Sequence, residues 1–274
     1  MTICTRRFAH TLFPALFAGL IGMVTAGPAL AQKPAPASAN KKDPDPEVAK
    51  QIDLLKDAAN DKKLAREKEA VDAINVLFKK HEDGLNEKDD KAIVKVLDEV
   101  LNKGKNHRTG KQIEVYTAAS AALGYHGEDG AKALRKCYDG SRFPKKVEWV
   151  PLRERLLLDV GKTKQESMVK FLLDEATRNP EAALQAAAGE ALGHFEEAKE
   201  ELRKEIVDVL LVRYGSMTEK ASQIGGSVEA QNAQDRLAAL SGKWNETLKK
   251  LTRQNFDSFA DWQSWHNKNK NKPW

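Results

Sequence analysis

Cysteine is nearly missing from this sequence, with Cys4 and Cys137 the two in 274 residues. A disulfide framework or a cysteine-ligated metal cluster needs more than that, so packing must hold the fold. Metal-ligand spacing is missing as well. Past residue 31 the histidines are His81, His107, His126, His194 and His266, with no His-Glu-x-x-His or His-x-His pair and no two four apart on one helix. His126 with Glu128 and Asp129, and Asp89 beside Asp90, read as solvated turn residues. A nucleophile motif is absent, since Gly215-Ser216-Met217 and Gly226-Ser227-Val228 lack the Gly-x-Ser-x-Gly layout. Gly161-Lys162-Thr163 imitates the end of a phosphate-binding loop, but Leu156 stands where that loop needs its first glycine. No catalytic, cofactor-binding or metal residue is assigned, and the chain reads as not an enzyme.

Charge of one sign is also lacking. Forty-five basic residues face 40 acidic ones, a net charge of +5. Such mixed charge belongs to solvated helix faces and gives little attraction to nucleic acid. Lys103, Lys105, His107, Arg108 and Lys111 cluster in one basic segment, which reads as a soluble turn between helices.

The first residues have the layout of an export leader. Arg6 and Arg7 precede an uncharged apolar run from Thr11 to Val24, and Ala29-Leu30-Ala31 offers a cleavage site before Gln32. Cleavage there removes two arginines and no acid, taking the net charge from +5 to +3. The expected location is periplasmic or secreted, with membrane attachment only if the leader stays. Residues 32–46, with Pro34, Pro36, Pro44 and Pro46, read as an extended spacer.

From Glu47 onward apolar residues recur three and four apart. Ile52, Leu55 and Ala59 form one stripe, Val71, Ile74, Leu77 and Phe78 another, and Ile93, Val96, Leu97, Val100 and Leu101 a third. No run alternates β-branched residues, and after Pro46 the prolines are Pro144, Pro151, Pro180 and Pro273, all near expected helix ends. The spacing predicts an all-α chain. Three segments end in an aliphatic residue and glycine: Leu123-Gly124, Val160-Gly161 and Leu192-Gly193. Each follows a helical segment, rich in alanine in the first and third copies, and precedes a second amphipathic one. Small residues let helices approach closely, glycine is expected to stop each helix in the left-handed conformation, and stacked pairs bury what one pair cannot.

This pattern resembles HEAT-repeat (armadillo-like) proteins of the short bacterial type, most clearly over residues 90–215. The family's usual arginine after the opening aliphatic residue is matched by Arg153, whereas Tyr116 and Gln185 depart from it. Leu251 to Phe256, Trp262-Gln263-Ser264-Trp265 and Asn267 to Lys270 resemble a C-terminal block of secreted bacterial HEAT-repeat proteins, with Arg253 in place of a glycine and His266 in place of a tryptophan. The resemblance implies a right-handed α-solenoid of helix pairs. Residues 47–89 would be N-terminal capping helices, 90–242 the repeats, and 243–274 a Trp-rich cap with a basic tail. Residues 215–228 read as a polar loop, and Ala230 to Leu240 as a degenerate helix ending at Ser241-Gly242.

The expected function is a non-enzymatic scaffold binding another protein through the face that the Ala-Leu-Gly helices line. Tyr116, Arg153, Arg155, Gln185 and Glu190 are the candidate partner-binding residues. The alternative is a cell-wall or glycan-binding module using Trp262, Trp265 and Trp274, since four of five tryptophans fall in the last 31 residues.

Overall fold

A computed structural model describes residues 43–108, 112–223 and 227–274. The leader and nearly all of the spacer lie outside these residues, as does Lys111. Every regular element among them is helical. In chain order they are α1 (Pro46–Ala59), α2 (Glu67–Glu82), α3 (Glu87–Asp98), α4 (Glu114–Leu123), α5 (Gly127–Asp139), α6 (Val150–Lys162), α7 (Val169–Arg178), α8 (Ala182–Leu192), α9 (Glu200–Ala221), α10 (Val228–Thr252) and α11 (Phe259–Asn269). None is long and apolar enough to cross a membrane.

Local chemistry starts these helices where expected. Asp45, Asn86, Ser227 and Ser258 each accept a backbone N–H in the first turn of α1, α3, α10 and α11, satisfying donors the helix leaves free. Pro46 and Pro151 sit in first turns, where the missing N–H costs nothing. The apolar stripes turn inward: Ile52, Leu55, Ile74, Leu77, Ile93, Val96, Leu97 and Leu101 are all buried.

The helices pack in two sets. In one, α2 packs on α4, α4 on α6, α6 on α8 and α8 on α10. The other holds α1 on α3, α3 on α5, α7 on α9 and α9 on α11. Cross-pairs such as α4 with α5, α7 with α8 and α9 with α10 join the two sets. The repeated glycines explain the first set, though not as helix stops. Gly124 and Gly193 have ordinary right-handed φ of −57° and −65°, and Gly161 lies inside α6. Their use is close approach. A Cβ at Gly124, Gly161 or Gly193 would come within 3.2, 2.5 or 3.1 Å of Asp159, Ala191 or Thr247 on the next helix of the set. In the second set α5 meets α7 through large side chains, the Tyr138 and Phe171 rings lying 5.4 Å apart with the Arg135 guanidinium 3.5 Å from the Phe171 centroid.

Two helices run through expected loops. Gly215 continues α9, because its bare Cα admits the Phe259 ring, which a Cβ would meet at 2.7 Å. Gly242 lies within α10, so the expected boundary between residues 242 and 243 falls mid-helix. The left-handed φ of 59° that ends α10 belongs to Arg253, where the resembling block has glycine.

Candidate functional site

Three of the five residues expected to face a partner are inside the protein. Tyr116, Arg153 and Gln185 are 0%, 1% and 0% exposed. Each acts as an internal clasp. The Tyr116 hydroxyl donates to the Asn106 carbonyl at 3.0 Å, and Arg153 Nη1 donates to the carbonyls of Tyr138 and Phe143 at 2.9 and 3.0 Å. Arg153 also lays its guanidinium 3.9 Å from the Tyr138 ring centroid. Gln185 Oε1 accepts from Arg236 at 2.9 Å, across to α10. Buried and bonded to groups of the protein itself, these positions offer nothing to a partner. Arg155 and Glu190 stay half-exposed, in ion pairs with Asp159 and Lys243.

In the basic segment Lys103, Lys105 and His107 are exposed, and Arg108 alone of its described basic residues turns inward. Arg108 is buried, its Nε 2.6 Å from Glu67 Oε1 and its Nη2 3.0 Å from the Ala59 carbonyl. His107 packs against Phe143 and Trp149. Lys162, in the segment that imitates a phosphate loop, ends α6 and pairs with Asp159 at 2.9 Å.

The tryptophan tail is mostly packed. Trp262 is fully buried and donates from Nε1 to Asn245 at 3.0 Å, leaving no ring face for a sugar. Trp265 and Trp274 are half-buried and meet edge to face at 5.1 Å, with Trp274 under Arg203 and Lys204.

A groove opens between α2, α4 and α6, with a volume of about 230 Å³. Ala118, Ala121 and Ala122 form its floor, since their short side chains leave depth there. Phe78 and Tyr125, rings 4.9 Å apart, stand on one side and Arg155 and Lys162 on the other. Tyr125 is 52% exposed, the one aromatic among the exposed large apolar side chains of the described residues. The two cations are positioned from below by Asp159, itself 0% exposed, which accepts from the Ser120 hydroxyl at 2.7 Å, Arg155 Nε at 2.7 Å and Lys162 Nζ at 2.9 Å. One carboxylate under two cations leaves a net positive rim beside an aromatic wall.

One turn beyond Phe78 and one residue beyond Tyr125 lie His81 and His126, their rings 4.1 Å apart. Asp90 joins them: its Oδ1 is 2.8 Å from His81 Nδ1 and 3.0 Å from His126 Nδ1. Three helix ends assemble this cluster. His81 is in the last turn of α2, Asp90 in the first turn of α3, and His126 caps the start of α5. The hydrogen bonds from His126 and His81 hold the Asp90 carboxyl far below the usual carboxylate range, against burial. The hydrogen bond to Asp90 raises the His81 pKa, opposed by burial and helped by the Tyr125 backbone. No local spacing marks this trio, because its members lie 9 and 36 residues apart on separate elements. Two residues read as solvated turn residues are buried instead: Asp89 turns to the Asp45 backbone N–H at 2.7 Å, and His126 turns to Asp90 instead of Glu128 or Asp129.

No family model matches the chain, and neither a curated protein nor a solved structure matches it significantly.

Proposed function

We propose that this chain is an exported, non-enzymatic scaffold, a right-handed α-solenoid of HEAT-like helix pairs that binds another protein through the groove of the α2–α4–α6 layer. The solenoid reading rests on the order of packing, each even-numbered helix from α2 to α10 against the next, and on the three glycines that recur at those contacts. One layer closes through glycine and alanine while α5 and α7 meet through tyrosine, phenylalanine and arginine. A narrow layer beside a wide one favours curvature with the alanine side concave.

The observation that carries the binding reading is the groove itself. A half-exposed tyrosine over an alanine floor, facing two pre-positioned cations, suits an apolar side chain with a carboxylate close by on an extended segment. Of the positions expected from the repeat pattern Arg155 lines this groove, and Tyr125 and Lys162 join it there.

The test is capture from native envelope extract on tagged residues 32–274, with mass spectrometry of what is retained. One protein held reproducibly, then quantified with the purified partner, should bind at least tenfold more weakly to Tyr125→Ala and Lys162→Ala, about 1.4 kcal/mol each or more. Retention indifferent to both substitutions would sink the groove. Retention on cell-wall material, lost with Trp265→Ala, would favour the glycan alternative.

A further inference from the structure

We propose that His81, Asp90 and His126 form a binding site for a divalent transition metal of the zinc class. The three donors come together within 4.8 Å of one another. A tetrahedral ion with bonds of about 2.0–2.1 Å holds its ligand atoms about 3.3 Å apart. The Asp90 Oδ1 separations of 2.8 and 3.0 Å from the two Nδ1 atoms would open by a few tenths of an ångström to admit one, and the third edge, between the two imidazoles, is within 4.8 Å. Two imidazoles and one carboxylate form a mixed N/O set that suits zinc and its neighbours in the first transition row over calcium or magnesium, which prefer oxygen alone.

The partners of the carboxylate point to an ion as well. Asp90 has no lysine or arginine partner among the described residues, and its hydrogen bonds and ion pairs go to the two imidazoles alone. A cation held by all three groups would take the place of the ring protons that join the carboxylate to the two histidines.

The surroundings fit a ligand set. The His81 ring lies 4.1 Å from the His126 ring, so the two imidazoles sit side by side over the carboxylate. Each ring would ligate through Nδ1 in its neutral form, the Nδ1 proton passing to Nε2 of the same ring. His81 and Asp90 remain 27% and 37% exposed at the side chain, so an ion can reach the site and keep water in its remaining position. Bound there, it would tie the ends of α2 and α3 to the α4–α5 turn, directly beside the aromatic wall of the groove.

The full chain, made without a histidine tag and stripped with a chelator, is titrated with zinc chloride, with cobalt chloride as the coloured probe and magnesium chloride as control. One equivalent of zinc or cobalt per chain is expected, with visible cobalt bands of a four- or five-coordinate site and a higher Tm, and no response to magnesium. Asp90→Asn keeps an oxygen acceptor, and His81→Gln alters a half-exposed position. Each should weaken zinc binding by more than about tenfold while leaving the metal-free Tm within a few degrees of the parent. If Asp90→Asn fails to fold, the His81→Gln titration decides. No stoichiometric uptake by the parent chain, or uptake that His81→Gln leaves unchanged, overturns the site.

Discussion

Arg153 is the residue at which the repeat pattern and the physical chemistry part ways. Its place after the opening aliphatic residue of α6 suggested a hand for a partner, and the guanidinium instead serves the Tyr138 and Phe143 carbonyls inside the protein. A linear pattern places a residue on a helix face, but does not say what that face packs against. His194 shows a related effect in titration. Burial, then the nearby Lys250, Lys162 and Lys164, lower its pKa, so the folded protein favours the neutral ring. A depressed folded pKa contributes stability that is present above the unfolded value, about 6.5, and is lost as pH falls through the folded one. Thermal melts at pH 7 and pH 5 should therefore drop less for His194→Gln than for the parent chain. Equal drops would show that this ring carries no linkage.

At the scale of helices, apolar spacing made the elements legible: stripes of Ile, Leu and Val mark α1, α2 and α3, and the aliphatic-glycine endings mark α4, α6 and α8. Glycine was the residue type whose meaning composition could not fix. Gly215 and Gly242 look alike in sequence, but one admits Phe259 and the other faces open space. The difference lies in what packs across, which no local spacing encodes. It predicts opposite outcomes for one substitution. Gly242→Ala, in mid-α10 with nothing within 4 Å of the new Cβ, should stabilise by about 0.5–1 kcal/mol. Gly189→Ala would put that carbon 2.0 Å from Trp244 Nε1 and should destabilise by about 1–3 kcal/mol despite the better helix propensity. Denaturant melts that gave both the same sign would refute the packing argument. The candidate sites were less legible than the helices. The groove needs Phe78, Tyr125 and Lys162 from three elements, and the His81–Asp90–His126 trio needs three helix ends.

For the whole molecule, the tryptophan tail is packed against the preceding helices. α11 packs on α9, Trp262 fills the space beside Asn245 and Phe256, and Arg203 donates to the Leu251 carbonyl at 2.5 Å and the Trp274 carbonyl at 2.9 Å. Trp262→Ala should therefore cost about 3–5 kcal/mol, roughly 10 °C in Tm for a domain of this size. Trp265→Ala, at a half-buried position, should cost clearly less. Equal melting temperatures for Trp262→Ala and the parent chain would mean that the tail is not a structural cap.

The near-contact of Gly161 with Ala191 carries a mechanical consequence. Where main chain lies against main chain, there is no rotamer to turn and no long side chain to bend, so that seam is stiff against compression and sliding. The Tyr138–Phe171 seam on the other side can yield, because rings tilt and an arginine can swing. Slow breathing of this protein should thus hinge along the glycine line and open on the aromatic side, giving earlier hydrogen exchange at the α5 and α7 amides than at those of α6 and α8.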